Sequence, residues 1–176
     1  MGRFKAKKPT RYVLGIVVAI VLVLGFAGIR QLSVNIFRAK PHVSEAVRPS
    51  PPTVNELLRL TNEERVKAGA KPLILDPLLD KSAQIKADDM SANDYFGHVN
   101  AKGKHGYTLI RDVGKECSWV SENIWLVGDE FSAEKAVTSW VGSAPHFKAM
   151  TNQRYESTGF GIAGNKYIVQ HFCDER

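Results

Sequence analysis

The stretch WVSENIWLVG, residues 119–128, places an acidic and an amide side chain inside an apolar run. Six of its ten residues are bulky and apolar, so we expect the run to be buried. Burying an ionised carboxylate costs several kcal/mol even after the protein relaxes around it. The fold must therefore provide Glu122 with a cation, a metal ion or strong hydrogen-bond donors.

The charge of the 176-residue chain is unevenly distributed. Residues 1–40 contain eight Lys and Arg and no acidic residue. Residues 41–176 contain sixteen Lys and Arg and eighteen Asp and Glu, so the net charge of +6 comes entirely from the N-terminal segment. Because the remainder is slightly acidic, the sequence does not predict a basic surface for nucleic acid.

The N-terminal segment has the pattern of a membrane anchor. Basic residues up to Arg11 precede eighteen uncharged, mostly apolar residues, 12–29, and Arg30 ends the run. A helix of that length spans about 27 Å, close to the hydrocarbon core of a bilayer. We predict a cytoplasmic segment over 1–11 and a single transmembrane signal anchor over 12–30, with the following chain outside the cell. Cleavage after Ala27, at a small-x-small pattern, would instead give a secreted protein.

The rest of the chain divides into a stalk and one domain. Residues 31–52 end in a proline-rich stretch and are predicted to be a stalk. The domain over 53–176 contains three predicted helices and a C-terminal hairpin. The helices begin after Thr53, Asp76 and Ser132, and the hairpin strands are 158–163 and 166–172. This order, without regular βαβ alternation, indicates an α+β fold.

Two histidines are candidate partners for Glu122. His98 follows the second predicted helix and His146 follows the third, each beside residues expected to be buried. Two neutral imidazoles and one carboxylate suit a divalent metal such as zinc with an open coordination position, although a histidinium would also neutralise Glu122. Asn123 is expected to bond to loop backbone. His105 is expected in a solvated loop and His171 in the packing of the last strand.

The chain has two cysteines, Cys117 and Cys173. In an exported protein an even number of cysteines is compatible with a disulfide, and two separate buried thiols are the alternative. We predict the disulfide, which would tie the loop before Glu122 to the final strand.

Several segments, in this order, resemble the CAP superfamily of cysteine-rich secretory proteins, antigen-five allergens and plant pathogenesis-related proteins. The similarity covers 53–173 and is greatest to the short bacterial branch with a single SCP domain. The segments are LTNEER at 60–65, YFGH at 95–98, SENI at 121–124, WVGSAPH at 140–146 and GFG at 159–161. The resemblance implies a three-layer α-β-α sandwich.

The resemblance also implies a cleft lined by two histidines and two acidic residues, which binds a divalent metal in some members. His98, Glu122 and His146 match three of these positions, and Ser143 stands where the second acidic residue is expected. Such a cleft implies a cell-envelope module that binds a lipid, glycan or protein ligand. The alternative is a metal-dependent hydrolase that uses the same cleft, with no catalytic residue assigned.

Overall fold

The structure is a computed structural model that describes residues 50–175. The predicted cytoplasmic segment, the membrane anchor and most of the stalk lie outside the described residues. Among the residues that are described, no helix is both long enough and apolar enough to cross a membrane.

The first half of the domain contains two long helices joined by a short strand. Helix α1, Val54–Lys67, begins after Thr53, whose hydroxyl accepts a hydrogen bond from the Glu56 amide at 3.2 Å. Strand β1 is Ile74–Leu75. Helix α2, Pro77–Ala92, begins after Asp76, whose carboxylate accepts hydrogen bonds from the first turn. Both helices therefore start where side-chain capping predicts.

The second half contains three helices and three strands within the described range. Their order is α3 Thr108–Asp112, β2 Trp119–Leu126, α4 Ala133–Val141, α5 Ala144–Met150, β3 Ser157–Ala163 and β4 Tyr167–Asp174. The predicted third helix is α4, and the predicted hairpin is β3–β4. Short helices α3 and α5 were not predicted, and α5 contains His146. Pro145 in its first turn favours a helix start at this point.

The four strands of residues 50–175 form one sheet in the order β1-β3-β4-β2. β1 pairs with β3 in parallel, and the other two pairs are antiparallel. The register places Glu122 of β2 opposite His171 of β4, which in turn lies opposite Gly159 of β3. Cross-strand partners point to the same face of a sheet, so Glu122 and His171 share one face.

That face packs against α2, and two glycines of β3 allow the helix to come close. A Cβ atom on Gly159 would lie 2.6 Å from the Cβ of Leu79, and one on Gly161 would overlap the backbone of Ala83. The opposite face carries Trp125, Phe160 and Phe172, which pack in a separate core with α1, α4 and α5. The described domain is therefore an α+β sandwich with helices on both faces of the sheet, as predicted.

One disulfide and one buried arginine each link parts of the domain that are distant in sequence. Cys117 and Cys173 form the predicted disulfide, with Cα atoms 5.5 Å apart. On the other face, the fully buried guanidinium of Arg65 donates only to backbone carbonyls. The acceptors are Lys71, Met150, Asn152 and Tyr155, at 2.7–3.1 Å. Arg65 thus connects the end of α1 to the end of α5 and the loop that follows it.

Candidate functional site

Glu122 is buried in the middle of β2 and hydrogen-bonded to two histidines. Its side chain is 1% exposed. His98 Nδ1 donates to Oε1 at 2.7 Å, and His171 Nε2 donates to Oε2 at 2.9 Å. These two donors are the partners that the buried carboxylate requires. The sequence identified His98 and missed His171.

The surroundings of Glu122 favour its ionised form. Burial raises the pKa of this carboxyl, but the hydrogen bonds from His171 and His98 and the positive charges of His171 and Lys86 outweigh burial, so the pKa lies below its ordinary value. Lys86 lies on α2, is fully buried, and donates to the Tyr95 hydroxyl at 2.9 Å. Burial lowers the pKa of Lys86, and the charges of Glu122 and Asp89 partly oppose that effect.

His98 lies in the loop after α2, with its side chain 48% exposed. The Gly106 amide donates to the His98 carbonyl at 2.8 Å, which fixes the loop beside Glu122. Gly106 lies directly against the carboxylate, because a Cβ atom there would be 2.6 Å from the Glu122 carboxyl carbon. Since Nδ1 donates to Glu122, the hydrogen-bond pattern leaves Nε2 of His98 as the nitrogen free to accept or ligate.

His146 approaches His98 from the other side of the sheet. It lies on α5, and its ring centroid is 6.5 Å from that of His98. Burial lowers the pKa of His146, and the nearby charge of His98 lowers it further, which favours the neutral imidazole. The Asn123 side-chain amide donates to the His146 carbonyl at 3.2 Å and so holds the start of α5 against β2.

Three further residues considered in the sequence analysis are Ser143, His105 and His171. Ser143 precedes the first residue of α5, and its side chain makes no capping hydrogen bond. His105 is exposed and stacks on Tyr107 with ring centroids 5.0 Å apart. His171 is fully buried on β4, and its Nδ1 lies 2.7 Å from the Ser82 hydroxyl. The structure thus brings His98, Glu122 and His146 into one region and adds His171 behind the carboxylate.

A metal site with Glu122 as a direct ligand stays a prediction. Both oxygens of Glu122 are hydrogen-bonded to histidines. Over residues 50–175, no group of three or more His, Cys, Asp or Glu side chains is arranged to hold a metal ion. His98 and His146 are two imidazoles whose ring centroids lie 6.5 Å apart beside this carboxylate.

Comparison with known proteins decides the family. The model of the cysteine-rich secretory protein family, CAP, matches residues 58–173. The chain belongs to this family. The resemblance predicted from the sequence is confirmed over residues 58–173, which include His98, Glu122 and His146.

Two proteins of Bacillus subtilis are similar to this chain over part of its length. The uncharacterized protein YkwD is 32% identical over 106 residues, which are 60% of this chain and 40% of that protein. The uncharacterized membrane protein YlbC is 32% identical over 117 residues, which are 66% of this chain and 33% of that protein. The match thus spans well under half of each relative's length.

Solved structures show the same CAP fold. An extracellular protein with an SCP domain from Bacillus anthracis has a TM-score of 0.63 and 22% identity, covering 68% of this chain and 39% of that one. An outer surface protein of Borrelia burgdorferi has a TM-score of 0.62 and 21% identity, covering 69% of this chain and 92% of that one.

Proposed function

We propose that this chain is an envelope binding module, anchored in the membrane by residues 12–30, and that its cleft binds a divalent metal ion such as Zn²⁺ between His98 and His146. The disulfide supports an oxidising compartment, because disulfides rarely persist in the cytosol. The basic residues before Tyr12 support an N-terminus inside the cell. The relative YlbC, which is described as a membrane protein, agrees with an anchor.

The observation that carries the metal proposal is the hydrogen bond from His98 Nδ1 to Glu122 Oε1 at 2.7 Å. Histidines that bind metals in proteins almost always donate their other ring nitrogen to a carboxylate, a carbonyl or water. This bond fixes the tautomer and orientation of the ring and raises the basicity of the free nitrogen. In His98 that nitrogen belongs to a ring that is half exposed.

The spacing of the two rings fits such an ion after a small adjustment. Zinc lies about 2 Å from each ligating nitrogen, so two imidazoles on one tetrahedral ion have ring centroids about 5 Å apart. The centroids of His98 and His146 are 6.5 Å apart. A closure of about 1–2 Å would bring both nitrogens to one ion. Glu122 would orient His98 without touching the metal.

A bound ion would act as a Lewis acid that holds an oxygen or nitrogen of the module's ligand at the remaining coordination positions. The hydrolase alternative also requires a general base beside a metal-bound water. Glu122 is not available for that role, because both of its oxygens accept hydrogen bonds in a closed environment. The geometry therefore favours binding over hydrolysis.

The test is isothermal titration of Zn²⁺ into the full chain, purified in a mild detergent at neutral pH. We expect one ion per chain. His98→Gln and His146→Gln should each abolish binding, and Glu122→Gln should weaken it by about 10–100-fold because it acts through His98. The matched control is His105→Gln, an exposed histidine outside the pair, which should bind as the wild type does. Equal affinity for the wild type and His98→Gln would refute the proposal.

The proposed topology is tested separately. A reporter that is active only outside the cytoplasm, fused after Arg176, should be active and should fractionate with membranes. Release of the active fusion into the medium would show instead that the chain is cleaved after Ala27.

A further inference from the structure

Strand β3 is an edge strand over most of its length, because β1 is too short to cover it. β1 pairs only with Ser157 and Thr158, whereas β4 pairs with the other side of β3 along all seven of its residues. Beyond Thr158, the outer edge of β3 has no neighbouring strand in the described sheet. Such an edge presents backbone amide and carbonyl groups that can pair with a strand of another chain.

Two side chains of α2 occupy this edge. The Phe160 amide donates to Asp80 Oδ1 at 2.8 Å. The Ile162 amide donates to Gln84 Oε1 at 3.0 Å, and Gln84 Nε2 donates to the Ile162 carbonyl at 2.9 Å. Gln84 thus bonds both backbone groups of one residue, as a residue of a neighbouring antiparallel strand would.

These contacts continue the ladder that β1 begins. The amides of residues 74 and 76 donate to the carbonyls of Glu156 and Thr158 at 3.0 and 2.9 Å. The α2 side chains then bond Phe160 and Ile162, the next alternate residues of the strand. Four residues of a helix rise about 6 Å and two residues of a strand about 6.7 Å, so side chains four apart on α2 match alternate residues of β3.

Two glycines let α2 approach closely enough for these bonds. A Cβ atom on Gly159 would lie 2.1 Å from the Asp80 nitrogen, and one on Gly161 would lie 2.2 Å from the Ala83 carbonyl carbon. Real Cβ atoms do not come this close to backbone, so only glycine fits at either position. The α2 side chains therefore reach the strand backbone directly.

β3 lacks the other features by which proteins protect an edge strand. Those features are charged side chains, proline, bulges, or cover by a helix or loop. Residues 157–163, STGFGIA, contain no charged residue and no proline. Their register with β4 is continuous from Ser157 to Ala163, without a bulge. Cover by α2 is the remaining form of protection for this strand.

We propose that Asp80 and Gln84 close the outer edge of β3 to strand addition by a second copy of this chain. A second copy is the partner that the uncovered edge fits, because segments with β-branched and aromatic residues, no charge and no proline pair with identical segments. The two side chains take the place of the strand that β1 does not provide. This role does not depend on whether the cleft binds a metal.

The local test is hydrogen–deuterium exchange of the full chain in mild detergent, resolved to single amides by NMR. The Phe160 and Ile162 amides should be protected in the wild type. Asp80→Ala should reduce protection of the Phe160 amide by about tenfold or more, and Gln84→Ala should do the same at Ile162. Asp80→Asn is the matched control, because it retains an acceptor oxygen and should keep the Phe160 amide protected. Unchanged protection in both alanine variants would refute the cover.

The test of closure is the oligomeric state of the double variant Asp80→Ala/Gln84→Ala, measured by light scattering with correction for detergent. We expect association that increases with concentration, and renewed protection of the Phe160 and Ile162 amides in the associated form. Ser132→Ala is the control for reduced stability, because it removes the cap of α4 and leaves the β3 edge covered. This control should have the oligomeric state of the wild type.

Two results would overturn the proposal. One is a double variant with the oligomeric state of the wild type at every concentration tested. The other is association in which the Phe160 and Ile162 amides stay exposed, because the copies would then meet at another surface. If the double variant does not fold, Gln84→Ala replaces it, since this change alone uncovers both backbone groups of Ile162, and the same results decide.

Discussion

Substituting Gly106 with alanine tests the burial of the Glu122 carboxylate most directly. The added Cβ atom would lie 1.8 Å from Oε2, 2.6 Å from the carboxyl carbon and 2.8 Å from Oε1. Ordinary van der Waals contact begins near about 3.5 Å, so the carboxylate or the Gly106 segment must move by about 1.5 Å. Hydrogen bonds of 2.7 and 2.9 Å would then exceed the distance at which they count as bonds.

The expected loss of stability follows from that displacement. Breaking a buried, hydrogen-bonded charge pair costs about 3–5 kcal/mol. We therefore expect Gly106→Ala to lower the free energy of unfolding by about that amount in urea titrations at neutral pH with the disulfide intact. Gly128→Ala is the control, because nothing lies within 4 Å of its added Cβ atom. If Gly106→Ala is as stable as Gly128→Ala, the carboxylate is not packed against this loop.

Three further predictions concern the disulfide, Arg65 and the ionisation of Glu122. Replacing Cys117 and Cys173 with serine should lower the free energy of unfolding by about 4 kcal/mol in the chain-entropy model, and the denatured, unreduced wild type should titrate no thiols. Arg65→Lys should lower the free energy of unfolding by about 3 kcal/mol or more, because one ammonium cannot replace a guanidinium that is bonded to four carbonyls. The control is the exposed Arg111→Lys, which should change the free energy of unfolding by less than about 0.5 kcal/mol. Because the pKa of Glu122 is lowered on folding from 4.5, its stabilising contribution is present above that pH and is lost as pH falls through the folded value. Urea titrations from about pH 6 to pH 3 should therefore show a steeper loss in the wild type than in Glu122→Gln.

The parts of the fold that local chemistry controls were predictable from the sequence. Thr53, Asp76 and Ser132 each accept hydrogen bonds from the first turn of a helix, as expected for capping residues. Gly164 and Asn165 both have positive φ in the turn between β3 and β4. Such signals depend on a few neighbouring residues, so no knowledge of tertiary structure was needed.

The second partner of Glu122 depends on strand register, which the sequence does not specify. His171 meets Glu122 because β2 and β4 pair in one particular alignment. A shift of one residue would turn His171 to the opposite face of the sheet. β4 is buried on both faces, so its sequence shows no alternation that would reveal the inward side. The predicted disulfide was the available signal, because it brings Cys173 close to β2 and limits the alignment to a few choices.

The placement of His146 on a helix was missed for a similar reason. Residues 144–150 are too few to show helical periodicity, and α5 is stabilised by tertiary contacts such as the bond from Asn123 to the His146 carbonyl. The family resemblance predicted that His98 and His146 share a cleft. It did not indicate that they approach β2 from opposite faces of the sheet.

That arrangement has a mechanical consequence for the domain. His98 follows the helix layer on one face of the sheet, and His146 belongs to the layer on the other. An ion held by both would be a reversible cross-link between the two outer layers, independent of the disulfide. Its binding energy would add to the stability of the sandwich, by about 2.7 kcal/mol at a hundredfold excess over the dissociation constant. Any ligand that separated the layers would therefore also release the ion.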